Sequence, residues 1–462
     1  MKRSQLFGLC LAVLAGAIVL VLPTPSGMSD PAKSMLAVAA FTITVWLFQV
    51  MNNAVASVLM MGLMVLLGAE PQLVLSGFSS PSFWILLCVL YYGCAMDRTG
   101  LAHRLSYYVL SLFPGTYMGI LSAFFVIGLV LAFGIPSMTV RTAIMVPIAW
   151  ALVKSLGIPP RSRGSALIVV TSIEMAVLPG CAILYGSLFG PVVASVFQTK
   201  QLPLSWIGYA QAMSIPTLVL CGFILFINPL LMRPEKRLKS SPTFAKEKLK
   251  ALGPIKRQEL ITMAIVAVSI LYWATDRVHH MPSFLIGMFG LAVFALTGII
   301  KDADIGGGVS WTLLIFIGGV FGLANVIQDY QITEWLSATF LPLAQKLAFS
   351  PVLLFIAMAF AFLLMRLLDP TGFIAIPVVF LPVSDMMTAA GIPPLVLIAP
   401  LMLSIAPFWL SHQNFWVAMG EGMTSNQGFS AGQRASLANV YCLAALLSIV
   451  VSVGYWKLIG LL

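Results

Sequence analysis

Charge is what this chain has least of. Asp, Glu, Lys and Arg make up 9% of its 462 residues, against about 25% in ordinary soluble domains. So few charges cannot cover a water-facing surface, which excludes a soluble globular domain and a charged disordered chain. Cysteine is also sparse. Cys10, Cys88, Cys94, Cys181, Cys221 and Cys442 are scattered through apolar runs without metal-ligand spacing. They read as small apolar residues in helix packing rather than as a disulfide framework or a metal set. GxSxG, HExxH and clustered Cys/His pairs are absent, and Ser137 and Ser411 have no base nearby in sequence, which argues against an enzyme. No phosphate-cradling glycine loop is present, so nothing points to nucleotide-driven work. The amino-terminal run starts with Lys2 and Arg3 but shows no small-residue cleavage site before Pro23, which predicts an uncleaved first helix.

What is there is apolar. Hydrophobic residues make up 60%, with a mean hydropathy of +1.01. A helix needs roughly 17 to 25 apolar residues to cross a hydrocarbon core about 30 Å thick. Such runs occur near 6–22, 34–50, 54–68, 82–96, 165–197, 206–232, 259–275, 283–300, 311–328, 394–420 and 437–460. Two more apolar stretches, 117–153 and 351–385, are broken midway by proline and polar residues, the pattern of re-entrant hairpins. The reading is an all-α integral membrane protein of about eleven transmembrane helices and two hairpins.

The net charge of +10 does not indicate nucleic acid, because nine of the 25 basic residues crowd into 233–257. The positive-inside rule places that loop in the cytoplasm. Lys2 and Arg3 place the amino terminus there too, six crossings away, and the carboxy terminus then lies outside. With 117–153 treated as re-entrant, Arg98, Arg104, Lys154, Arg161 and Arg163 also fall inside. The organisation is a first helix (1–32), a first repeat (33–232), a solvated basic linker (233–257) and a second repeat (258–462).

The two halves carry matching landmarks. Trp46 and Trp273 each end an apolar run, 227 positions apart, and Trp84 and Trp311 stand at the start of further runs at the same separation. Gly157-Ile158-Pro159-Pro160 returns as Gly391-Ile392-Pro393-Pro394, at an offset of 234. Duplication of this kind within an apolar chain predicts a secondary transporter built from two inverted repeats.

Each half also breaks its helices at membrane depth. The hairpins turn at Gly134-Ile135-Pro136-Ser137-Met138-Thr139 and near Asp369-Pro370-Thr371-Gly372. The fifth span is interrupted around Leu178-Pro179-Gly180-Cys181, and the tenth around Pro407 and Ser411-His412-Gln413-Asn414. Applying the offset of 234 pairs Pro179 and Gly180 with Gln413 and Asn414. Unpaired backbone at this depth is tolerated only beside a cavity or other protein, and helix N-termini exposed there suit an anion.

Four ionisable residues lie within the apolar runs: Arg141, Glu174, Arg366 and Asp369. Each costs about 2.5–3.5 kcal/mol at a helix centre unless partnered or wet. Arg141 has three readings: a salt bridge with Asp369, a guanidinium fork facing an anionic substrate, or exposure at the hairpin base. In the second reading Asp369 competes for the arginine or carries a proton. Glu174 is either an ion-coupling carboxyl or a capping or paired group. Arg366 reads as snorkelling or structural. His412 joins the polar break or packs through a hydrogen bond. Ser411 belongs to the same break.

These features together resemble the divalent anion:sodium symporter family, within the citrate-transporter-like proteins. The resemblance runs through MNNAVASVLMMGLMVLLG after the second span, AMDRTGLAHRL, the hairpin segment SMTVRTAIMVPIAWAL and WTLLIFIGGVFGLANVI in the second half. It implies hairpin tips carrying Ser-Asn-Thr motifs that hold sodium and a substrate carboxylate. Ser137 and Thr139 match, with Pro147 at the expected distance, but Met138 replaces the asparagine. At the second tip, aligning Pro377 with Pro147 gives Leu367-Leu368-Asp369, whereas local polarity gives Asp369-Pro370-Thr371. Neither supplies the asparagine. The resemblance also implies a homodimer in a bacterial inner membrane and an elevator-like movement of the hairpin-bearing part against a scaffold.

The expectation is therefore a secondary active transporter of small di- or tricarboxylates or a related divalent anion, with the bilayer as its other partner and no cofactor. Proton coupling or anion exchange ranks ahead of sodium, although sodium near the tips stays open. An ion channel is the alternative, and a membrane-embedded enzyme ranks below it.

Overall fold

In a bilayer every peptide group must find its partner within the protein, and an apolar chain does so most simply by closing helices. The structure, a computed structural model, describes residues 3–235, 238, 243–336, 338–339, 350–366, 380, 383–384, 387–388, 391–410 and 413–462, and no strand occurs among them. Among the described residues, seven helical units are long and apolar enough to cross a membrane. Four shorter apolar helices accompany them: Gln5–Val21, Asn53–Leu66, Phe284–Leu296 and Pro351–Met365.

The first half runs α1 (Arg3–Val21), α2 (Asp30–Leu47), α3 (Asn53–Leu66), α4 (Pro71–Ser79), α5 (Pro81–Thr99), α6 (Leu101–Leu112), α7 (Tyr117–Gly134), α8 (Met138–Ser155), α9 (Arg163–Val177), α10 (Phe189–Thr199) and α11 (Trp206–Leu231). Starts are set by side chains that take up the free amides: Ser29, Asn52, Ser80, Thr116, Ser162 and Ser205 all cap their helices. Gly100, at φ 81°, turns the chain sharply between α5 and α6. The short helices α4 and α6 were not legible as hydrophobic spans.

After α12 (Thr243–Ala251) the order repeats with α13 (Arg257–Ala274), the single turn α14 (Asp276–His279), α15 (Phe284–Leu296), α16 (Asp302–Gly307), α17 (Trp311–Asp329), α18 (Pro351–Met365), α19 (Ile398–Leu403), α20 (Phe415–Met423) and α21 (Ala431–Leu458). Every expected span thus coincides with one helix or, in two cases, with a broken pair. The linker departs from expectation. Instead of being solvated throughout, its 243–251 portion is a helix packed on α6, with Phe244 edge-on to Tyr107. Arg104 fixes the end of the linker by donating to Glu259 at 3.0 Å and to the Gly253 carbonyl at 2.9 Å.

The halves interlock into one core. α17 packs on α3 and α4, α15 packs on α5, and α11 lies along α21. Trp456 Nε1 donates to the Ala212 carbonyl at 2.9 Å, and Tyr455 to that of Gln211 at 2.8 Å. Small residues allow the closest approaches. Gly322 of α17 rests on the Val74 carbonyl of α4, and any Cβ there would overlap it. Exposed apolar side chains form outward stripes, such as Val55, Val58 and Leu66 on α3 and Phe289, Val293 and Leu296 on α15.

Gly322→Ala should therefore force α4 off α17 and cost about 1–3 kcal/mol of stability, read as earlier thermal unfolding in detergent. Gly62→Ala, on α3 with nothing within 4 Å of the new methyl, should leave unfolding unchanged or later. Equal effects would contradict this packing.

Candidate functional site

Pro136 has no amide to donate and ends α7 within two residues of Gly134. Ser137 then caps α8, accepting from the Val140 amide at 3.3 Å. The two arms of this first hairpin hold α9 between them, since both pack on α9 far more than on each other. Gly128 of α7 makes that possible, because a side chain there would overlap the Met175 carbonyl. Ser137 and Met138 are buried at the tip, and Thr139 is half-buried. The second tip, Asp369, Pro370 and Thr371, lies outside the described residues, as do Ser411 and His412.

α9 itself ends at Val177. Pro179 cannot continue the helix, and Leu178–Ala182 tightens into a 3₁₀ turn before a buried loop leads to α10. Gly180 and Gly186 lie back to back here, and a Cβ on either would strike the other's carbonyl. This is irregular backbone with no access to water, so its carbonyls need donors from elsewhere in the protein.

Arg141 supplies them. It is fully buried. Its Nε donates to the Ala176 carbonyl at 2.6 Å, Nη1 to Ile135 at 2.7 Å and Gly186 at 2.5 Å, and Nη2 to Val177 at 3.3 Å. One guanidinium thus ties the hairpin tip, the end of α9 and the far side of the break together. In this structure the guanidinium fork is occupied by backbone, and Asp369, its other expected partner, lies outside the described residues. Tyr209 of α11 adds a fifth donor, to the Cys181 carbonyl at 3.0 Å.

The second half solves the same problem with different residues. α19 ends at Leu403 and α20 begins at Phe415, each 226 positions after its counterpart, Val177 or Phe189. Arg366, also buried, donates to the Ile405 carbonyl at 2.8 Å and to that of Gln413 at 3.5 Å. Tyr441 accepts from the Ala406 amide at 2.9 Å and donates to the Leu403 carbonyl at 2.7 Å. Asn414 caps α20 through Trp416 and Val417 while its own amide reaches the Ala406 carbonyl at 3.1 Å. Arg366 is therefore structural rather than snorkelling.

The pairing of the breaks needs correction. The second half is eight residues shorter between its Gly-Ile-Pro-Pro turn and its break, so the offset of 234 does not extend past Pro394. Structurally, Gln413 corresponds to Ser187, and Pro179 to Ile405.

The two breaks face each other. α19 touches the 3₁₀ turn, with Cys181 Sγ 3.8 Å from the Met402 carbonyl, and α20 packs on α8 and α9. Among the described residues, four buried side-chain groups near them have no hydrogen-bond partner: Ser187 Oγ, Ser404 Oγ, Gln413 Nε2 and Trp416 Nε1. Each can donate, and a buried polar group left unpaired costs about 1–3 kcal/mol. The amino end of α10 lacks a side-chain cap beside Ser187. Unpartnered donors near helix ends suit an anion. Of these four, only Gln413 was legible from sequence. Ser187 lies in an unremarkable GSLFG run, and Ser404 and Trp416 read as helix-packing residues.

Glu174 lies one turn before the end of α9, and it is buried. Its Oε2 accepts from Asn228 Nδ2 at 2.8 Å, and it forms no ion pair among the described residues. No group of three or more His, Cys, Asp or Glu able to hold a metal occurs among the described residues.

Paired broken helices within an all-helical apolar chain are the architecture of a secondary transporter. Residues 3–462 match the model of the sodium:sulfate symporter transmembrane region, and the chain belongs to that family. It is 24% identical over 392 residues to dicarboxylate transporter 1, chloroplastic, of Arabidopsis thaliana, covering 83% of this chain and 70% of that one. It is 25% identical over 348 residues to the putative malate transporter YflS of Bacillus subtilis (strain 168), covering 72% of each. Inner membrane protein YbhI of Escherichia coli (strain K12) is 26% identical over 360 residues, 74% of each chain. The crystal structure of the Alcanivorax borkumensis YdaH transporter shares the fold, with a TM-score of 0.60 at 15% identity over 99% of this chain and 97% of that one. The protein is a secondary anion transporter, and its relatives are transporters rather than enzymes.

If Arg141 holds the break, lysine cannot replace it, because a single ammonium cannot reach the three separate segments. Arg141→Lys should cost about 1.5–3 kcal/mol, the worth of a charge-assisted bond. Tyr441→Phe, which unpairs Ala406 and Leu403, should cost about 1–3 kcal/mol. Thermal unfolding in detergent reads both, and a fully stable Arg141→Lys protein would contradict the latch.

Proposed function

We propose that this protein carries small di- or tricarboxylates across a bacterial inner membrane. The observation that carries the reading is the set of unpartnered donors, Ser187, Ser404, Gln413 and Trp416, at two facing helix breaks. The first hairpin tip, with Ser137 and Thr139, adjoins the same region through α8 and α9. Neutral donors and helix ends, rather than a free arginine, would bind the carboxylates. A dicarboxylate substrate agrees with the names of two relatives, dicarboxylate transporter 1 and the putative malate transporter.

Movement in this reading is elevator-like, with the hairpins and breaks shifting as a unit stabilised by the arginine latches. The scaffold would include α3, α5, α15 and α17, and would dimerise. The amino terminus and the basic linker face the cytoplasm and the carboxy terminus faces outside, as the charge distribution requires. Coupling is assigned to protons or to anion exchange. At the first tip Met138 offers no side-chain oxygen for a cation, and at the second neither Leu368 nor Pro370 does. Sodium-driven sulfate transport is the second reading, favoured by the family's description.

Purified protein warmed with malate, citrate or sulfate, with sodium or choline as the cation, separates these readings. Dicarboxylate or tricarboxylate should raise the unfolding temperature without needing sodium. Gln413→Leu should bind the anion about tenfold more weakly, the loss of one hydrogen bond to a charged group. It should also unfold somewhat earlier, because it unpairs the Leu410 amide, which donates to Gln413 Oε1 at 3.3 Å. Stabilisation by sulfate alone, and only with sodium, would favour the second reading.

A further inference from the structure

Beside the breaks lies a second polar cluster that the anion site does not use. Thr171 and Glu174 share one face of α9, and Asn228 of α11 reaches both. Its Nδ2 donates to Thr171 Oγ1 at 3.1 Å and to Glu174 Oε2 at 2.8 Å. All three are at least nine-tenths buried. The amide is thereby oriented, and among the described residues two acceptors are left without a donor: Glu174 Oε1 and Asn228 Oδ1. An ionised carboxylate in this setting would have one hydrogen-bonding residue and no cation, an arrangement proteins rarely sustain.

The surrounding helices offer no remedy. Arg141 of α8 is spent on carbonyls, and Arg434 of α21 pairs with Glu421 of α20. Tyr209 of α11, Tyr441 of α21 and Cys181 of the 3₁₀ turn each contact a backbone carbonyl. Of the rest, Tyr117 of α7 lies against Gly164 at the opposite end of α9, and Tyr455 of α21 is bonded to Gln211. Lys154 and Lys457 are exposed near the ends of α8 and α21, and Cys221 and Cys442 are buried thiols. Among the described residues the cluster's side-chain oxygens come from three residues, Thr171, Glu174 and Asn228. That is a poor shell for an alkali cation. A proton on Oε1 needs no shell.

We infer that Glu174 is the proton carrier of the transport cycle, neutral in this arrangement and ionised when the break opens. This rests on the reading of the protein as an anion carrier. The step is a simple ionisation: the Oε1–H bond breaks, its electron pair stays on the carboxylate, and the proton passes to water. Position links it to the site. The Glu174 carbonyl accepts the Leu178 amide at the end of α9, and the Ala176 carbonyl two residues on is held by Arg141. A charge appearing at Glu174 would compete for that guanidinium and draw water towards the break, so ionisation and opening favour each other.

The test uses the whole protein in proteoliposomes with labelled malate, in two modes: exchange against internal malate, and uptake driven by an inward proton gradient. Glu174→Gln mimics the protonated side chain and should lose gradient-driven accumulation while still exchanging. Retained accumulation, or loss of both modes in folded protein, overturns the inference. So does a variant that loses a sodium requirement instead. Asn228→Leu, which removes the donor favouring the ionised form, should move the pH midpoint of driven uptake upward; an unmoved midpoint counts against the proposal. Infrared spectra test it without transport. A carboxylic-acid carbonyl band at neutral pH that vanishes in Glu174→Gln supports the proposal, and an ionised Glu174 there overturns it. If wild-type protein carries malate in neither mode, the carboxylate reading fails, and the infrared result still decides the state of Glu174.

Discussion

Everything in this fold follows from the need to satisfy backbone that has left helical geometry inside an apolar interior. Two stretches, Leu178 to Leu188 and, among the described residues, 404–410 with Gln413 and Asn414, leave α-helical geometry, and most of their lost hydrogen bonds must be replaced from within the protein. The protein answers with donors of its own. Arg141 closes over four carbonyls, Arg366 over the second break, and Tyr209 and Tyr441 brace the two from α11 and α21. Because the bonds cross from hairpin to broken helix, each arginine makes two elements one body. Rigidity at the breaks is a prerequisite for a binding site, since a ligand gains little from donors that must first be ordered.

The two halves reach this result without sharing residues. Arg141 follows its hairpin tip, whereas Arg366 precedes the other, yet each reaches a carbonyl on the far side of its break: Gly186 in one case, Gln413 in the other. The bonding requirement is repeated more faithfully than the sequence. The halves differ where function would be expected to differ. Ser187 and Gln413 occupy corresponding places with unlike side chains.

Much of the fold was legible from hydropathy, because a bilayer imposes length and composition on any helix that crosses it. The broken helices were legible because Pro179 and the polar run before Asn414 are costly at that depth. Short elements such as α4, α6 and α16 were not, since nine, twelve and six residues of mixed character carry no spanning signal. The docked linker helix was hidden for another reason: its lysines dominate its composition, while its packing depends on Phe244. Register drift was the main error in the site. A shared turn at Gly157 and Gly391 suggested an offset of 234, and the loss of eight residues beyond Pro394 brought it to 226, within one of the 227 that separates the paired tryptophans. Arg141 shows the limit most clearly. Sequence gave its charge and depth but not its acceptors, and backbone carbonyls leave no trace in residue identity.

The central claim is that one small anion bridges both breaks. Hydrogen exchange followed by mass spectrometry, with and without malate, tests it directly. Segments 178–190 and 404–417 should both gain protection on addition of malate, while α3 and α17 stay unchanged. Protection confined to one break, or none at either under conditions where malate is transported, would contradict the account.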